Sequence, residues 1–140
     1  MGGPLKRTIL LALLVACGTA QATDWASLGK SDDGKQAIFV DVSSVRVAGQ
    51  IRRASFKTVL APHTVRETGE DVDKWESDEV GQNAFDCSEN TRRVEALIIY
   101  YEGGGDHTLP ARMFPSPWEP VPPDTLVSVE MHFICAWKPK

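Results

Sequence analysis

Cysteines, histidines and carboxylates are the side chains through which this chain could do chemistry, and their spacing is sparse. The three cysteines are Cys17, Cys87 and Cys135, and the three histidines are His63, His107 and His132. No histidine stands at a paired ligand spacing from Cys87 or Cys135, so a zinc site is not indicated. Nucleophilic catalysis needs a serine or cysteine held against an oriented base, and the Gly-x-Ser-x-Gly signature is missing. Asp106-His107 is the only adjacent acid and histidine pair; with Glu102 it forms the one cluster that a small periplasmic enzyme or ligand-binding protein could use. It sits beside Gly103-Gly104-Gly105, where a solvated turn is the simpler account. Those glycines precede no Gly-Lys-Ser/Thr, so they do not make a phosphate loop. Asp71-Val72-Asp73 lacks the other spaced oxygens and the central glycine of a calcium loop. The expectation is a protein without catalytic residues, metal or cofactor.

Chain length limits what could position such groups. The first 22 residues read as a signal peptide: Lys6 and Arg7, an apolar run over 9–16, then Ala20-Gln21-Ala22. That run is too short to span a bilayer, and no later stretch offers a second candidate. Leu14-Val15-Ala16-Cys17 also resembles a lipobox, in which Cys17 would be lipidated and become the N-terminus. Cleavage after Ala22 is preferred, since a lipid on Cys17 would leave a short tether before Trp25, where the fold is expected to begin. Residues 23–140 then form one domain of about 118 residues, enough for one modest core. Losing Lys6 and Arg7 takes the formal net charge from −4 to −6, and an acidic surface argues against nucleic acid. In an exported chain Cys87 and Cys135 are an even pair, so a disulfide between them is expected.

The mature segment reads mostly as strands. Asp32-Asp33-Gly34-Lys35 marks a hairpin turn between strands at 24–29 and 36–41, because an Asp-Gly pair readily takes positive φ. Asp41-Val42-Ser43-Ser44-Val45 reads as a turn held by its own side chains, and Gly49 as the next reversal. Over 51–60, Ala54, Phe56 and Leu60 fall on one face, with Arg53, Ser55 and Lys57 on the other. Residues 62–79 form the most polar segment and read as an exposed acidic loop containing Asp71, Asp73, Trp75 and Glu76. Strands at 80–87 and 93–101 flank a polar turn at 88–91. The second has apolar residues on both faces, which predicts a central, covered strand. The paired arginines Arg52-Arg53 and Arg92-Arg93 read as outward residues that keep the sheet soluble. Five prolines between 115 and 123 predict an extended surface crossing. Residues 125–135 stay open: Val127, Val129, Met131 and Phe133 alternate as in a strand, while Leu126, Val129, Phe133 and Ile134 trace a helical stripe behind Asp124 as a candidate N-cap.

The order of landmarks resembles the surface-adhesin protein E family of Gram-negative bacteria. These are Asp24-Trp25, Asp41-Val42-Ser43-Ser44-Val45 with Gly49, Phe85-Asp86-Cys87, Arg92-Arg93, Trp118-Glu119-Pro120-Val121-Pro122 and Cys135. The resemblance implies an α+β fold: a small antiparallel β-sheet domain whose C-terminal helix is tied back by a disulfide corresponding to Cys87 and Cys135. It also implies an exported binding protein of the periplasm or cell surface, an outer-membrane lipoprotein if cut before Cys17, whose partners include host extracellular-matrix or serum proteins. Loops on a rigid scaffold commonly carry recognition. The acidic segment with Asp71, Asp73, Trp75 and Glu76 is therefore the candidate contact surface, with Trp137 as a second aromatic that could anchor a partner or cover its own domain.

Overall fold

The computed structural model describes residues 23–67, 70–101 and 104–140, with the course of the backbone alone over 61–67 and 70–77. The leader read over 1–22, including Cys17, lies outside the described residues. In chain order the strands are β1 (Trp25–Lys30), β2 (Gln36–Asp41), β3 (Arg46–Ala48), β4 (Ile51–Glu67), β5 (Glu70–Asp86), β6 (Thr91–Tyr101), β7 (Asp106–Thr108) and β8 (Glu119–Pro120). One helix, α1 (Leu126–Cys135), follows. The strands form one antiparallel sheet in the order β1-β2-β4-β5-β6-β7, with β3 on β4 and β8 on β6. The fold is therefore the expected α+β arrangement.

Turn chemistry explains why the strands begin and end where they do. Between β1 and β2, Gly34 takes φ 70° and the Asp33 carboxylate accepts bonds from Ser31 Oγ at 2.6 Å and Lys35 N at 2.9 Å. After β2, Asp41 accepts from Asp24 N, Ser43 N and Ser43 Oγ, which ties the start of β1 to the turn. Burial alone would raise the Asp41 pKa, but these bonds hold it below the usual carboxylate value. Asp86 does the same work before β6, accepting from Ser88 and from Glu89 N.

Two sequence expectations are corrected by this topology. Residues 62–79 are not a loop: their described backbone continues β4 and β5, paired as far as Glu67 opposite Glu70. Charged strands of this kind carry no apolar alternation to reveal them. Nor is β6 the covered centre, since its residues are half-buried and Tyr100 is exposed, whereas the deepest residues lie on β2, β4, β5 and α1. The outer edge of β6 is closed piecewise, by β7 at residues 98–100, by Ser116 against Val94, and by β8 at residues 91–92. Such cover removes an edge that could pair with another chain. The proline-rich crossing, mostly exposed as expected, thus also completes the sheet.

Residues 126–135 are helical, which resolves the open reading against the alternation. Asp124 cannot be the N-cap, because it sits at φ 60° outside the helix. Thr125 caps instead, accepting from Ser128 N while Ser128 Oγ accepts from Thr125 N. The inward stripe is also rotated from the one read: Ser128, Glu130, Met131 and Ile134 are buried and Val129 is 38% exposed. Met131 and Ile134 pack on Val40, Ala54, Phe56 and Phe85, with the Phe56 and Phe85 rings edge to face at 5.7 Å. A disulfide and an arginine fix the far end of α1. Cys135 is joined to Cys87 with Cα atoms 5.7 Å apart, and the Arg52 guanidinium donates to the carbonyls of Ile134 and Trp137. Arg52 is accordingly not an outward residue but a C-terminal helix cap. Arg53, on the opposite face of β4, pairs with Glu95 at 2.6 Å; Arg93 shares that carboxylate at 3.5 Å and stacks over Trp118. Trp137 packs against Phe133, so it covers its own domain.

Candidate functional site

Under the N-terminal half of α1 the sheet is not filled. Alternation along the strands sends Ile38 of β2, Phe56, Thr58 and Leu60 of β4, and Gly81 and Asn83 of β5 toward the helix. With Arg92, Val94 and Leu97 of β6 and Leu126, Val127 and Glu130 of α1, they line a cleft of about 460 Å3. That volume falls within the range of small-molecule sites. Gly81 keeps it open. A Cβ there would come within 3.3 Å of Asn83 Oδ1 and 3.6 Å of Leu97 Cδ1.

Glu130 gives the cleft its chemistry. It is 5% exposed, and Asn83 Nδ2 donates to its carboxylate at 3.3 Å. Burial pushes its pKa up from 4.5 to about 7, against the opposing pull of Arg92 and of the Asn83 bond. Asn83 Oδ1 is buried and accepts no hydrogen bond from the described residues. A larger hollow of about 840 Å3 lies beside α1 near Lys30 and His132, but its buried polar group, Ser128, is already bonded to Thr125.

A carboxyl that keeps its proton in the folded state until about pH 7 makes stability depend on pH in a defined sense. Between about pH 4.5 and 7 the unfolded chain ionises at this position while the folded chain stays protonated, so folding stability falls as pH rises through that window. The loss totals roughly 3 kcal/mol. Urea unfolding of wild type and Glu130→Gln at pH 5 and pH 8 checks this: the variant should gain on wild type at pH 8. An equal difference at both pH values would count against a buried, high-pKa Glu130.

The residues singled out from sequence are not brought into this cleft. Asp71, Asp73, Trp75 and Glu76 lie on β5, with Asp71 opposite Arg66 and Trp75 opposite Thr64, and their side chains lie outside the described residues. Asp106 and His107 are consecutive on β7 and both exposed. Neighbouring residues of a strand project to opposite faces, so the two do not converge. Glu102 lies outside the described residues. Among the described residues no group of histidine, cysteine or carboxylate side chains could hold a metal ion. Sequence reading passed over Glu130, Asn83 and Gly81 and took Arg92 for an outward residue, whereas it lines the cleft. Taken as a helix, the segment shows a clue: Leu126, Glu130 and Ile134 recur every fourth residue, which sets a carboxylate on the inward stripe.

Sheet, capping helix and cross-link together define a small disulfide-closed α+β module with a cleft between helix and sheet. The surface-adhesin protein E model matches residues 25–136, and the chain belongs to that family. Its fold is similar to that of Haemophilus influenzae protein E, at a TM-score of 0.53 and 16% identity over 82% of this chain and 89% of that one. A second crystal form of the same protein gives 0.51 and 16% over 84% and 94%. No curated protein matches the chain in sequence. Among the described residues no helix is long and apolar enough to cross a membrane.

Proposed function

We propose that this protein is a non-enzymatic binding module of the bacterial envelope surface, which contacts protein partners, host extracellular-matrix or serum proteins among them, through the far end of the β4–β5 hairpin. Membership of the surface-adhesin protein E family over residues 25–136 is the observation that carries the reading. The backbone supports the choice of surface. β2 pairs with β4 only as far as Leu60, and β6 with β5 only as far as Glu76. Beyond them β4 and β5 run on as a two-stranded arm that bears Asp71, Asp73 and Trp75, with Glu76 at its base. Seven carboxylates against Arg66 and Lys74 over 62–79 select a basic partner surface.

Binding to immobilised matrix and serum proteins is the test. Shortening the arm or introducing Trp75→Ala should weaken binding about tenfold or more, as loss of an aromatic hot spot does. Affinity should fall with added salt, since the Debye length is about 8 Å near physiological ionic strength. Asp106→Ala and His107→Ala should bind as wild type does. Unchanged binding by the arm variants would remove this surface from the reading, and binding to none of these proteins would remove the adhesin reading itself.

Processing belongs to the same proposal. Residues 23–140 act as a single domain after a signal peptide at 1–22, or follow a lipid-modified Cys17 that would anchor the protein in the outer membrane. Intact mass of the protein from the native envelope should correspond to a start at Thr23, with a lipidated Cys17 start as the other form. A full-length unprocessed chain would contradict export.

A further inference from the structure

We infer that the cleft beneath α1 is a binding site for a small amphipathic amine, its ammonium head held by Glu130 and Asn83 and its apolar stem against Ile38, Phe56, Leu60 and Leu97. The inference goes beyond the proposed partner contact, which lies on the arm. Three observations carry it. The cleft of about 460 Å3 has apolar walls from both sheet and helix, while its charged lining, once Glu130 ionises above about pH 7, is two carboxylates, Glu79 and Glu130, against one guanidinium, Arg92. That balance favours a cation over an anion. Asn83 is 6% exposed, and its Oδ1 accepts nothing among the described residues, which leaves a buried acceptor suited to an N–H donor. Finally, Gly81 withholds the one Cβ that would stand 3.3 Å from that oxygen. Gly81 does not sit in the left-handed region, so its small size is not a backbone requirement and the space it leaves is a feature of the cleft.

The same arrangement fixes the pH response. The groups facing Glu130 are Arg92 from β6 and Asn83 and Glu79 from β5, with uncharged Gln36 and Thr58 from β2 and β4. The ionised carboxylate is the form that receives the ammonium head. As pH falls below about 7, protons compete with the amine for Glu130, and affinity should drop about tenfold between pH 8 and pH 6.

Calorimetric or NMR titration of the folded protein with n-hexylamine, n-hexanoate and n-hexanol tests this. Hexylamine should bind best at pH 8, with resonance shifts at Gly81, Asn83 and Glu130. Glu130→Gln should weaken it at least tenfold and abolish the pH dependence. Gly81→Ala, which the strand accommodates without backbone strain, should weaken hexylamine to a similar degree with its unfolding temperature maintained. Absence of hexylamine binding at millimolar concentration, equal or tighter binding of hexanoate, or wild-type affinity in a folded Gly81→Ala variant would each overturn the assignment.

Discussion

Replacing Cys87 or Cys135 by serine is expected to lower the unfolding temperature by roughly 10–20 °C, and by nearly the same amount in either variant. The bond joins residues 48 apart in sequence, and closing a loop of that size removes roughly 4 kcal/mol of unfolded-chain entropy. What it holds in place is α1, a helix of ten residues. Alone in water a helix of that length is marginal, so it depends on its anchors. The N-terminal anchor is the Thr125–Ser128 capping box, and the C-terminal anchors are Cys135 and Arg52. Since α1 also roofs the cleft and supplies Met131 and Ile134 to the core, loosening it reaches far beyond the cross-link. Thermal unfolding of the two single variants, the double variant and the reduced wild type is the measurement. All four should agree. A double variant much less stable than either single one would show that the cysteines act as separate packing residues and not through their bond.

Phe85→Ala is expected to cost about 3–5 kcal/mol, a large share of the 5–15 kcal/mol that keeps a domain of this size folded. Phe85 is fully buried, edge to face with Phe56, and belongs to the cluster in which α1 meets the sheet. Truncation leaves a void there that rigid neighbouring strands cannot close. Val129→Ala is the matched control, expected within about 0.5 kcal/mol, because Val129 is 38% exposed on the outer side of α1. The pair discriminates between the two readings of 125–135: in a strand alternating as the sequence suggests, Val129 would point inward with Val127 and Met131, and its truncation would be costly. Urea unfolding of both variants gives the answer, and a Val129→Ala loss comparable to that of Phe85→Ala would contradict the helix.

Local chemistry made much of this protein legible in its sequence. Asp33-Gly34 and Asp41 with Ser43 encode their turns because side-chain oxygens and positive φ act over two or three residues, and the structure places each turn where those residues stand. The alternation through Ala54 and Phe56 marked the inward face of β4 for the same reason. Cysteine parity, together with the expected export, predicted the bond that forms. Tertiary context decided the rest. Alternation and helical periodicity coexist in 126–135, and helix prevails where Thr125 caps it and Cys135 and Arg52 fasten its end, contacts that come from residues up to 85 positions away. The acidic stretch at 62–79 takes its strand form from hairpin pairing between β4 and β5, a backbone ladder that leaves no trace in side-chain polarity. Glu130, Asn83 and Gly81 are unremarkable polar or small residues along the chain, and Arg92 reads there as an outward arginine. Only the closing of α1 over β4 and β5 buries one carboxylate, raises its pKa and sets it beside an acceptor that has no donor among the described residues, because burial belongs to the packed fold and not to any single segment.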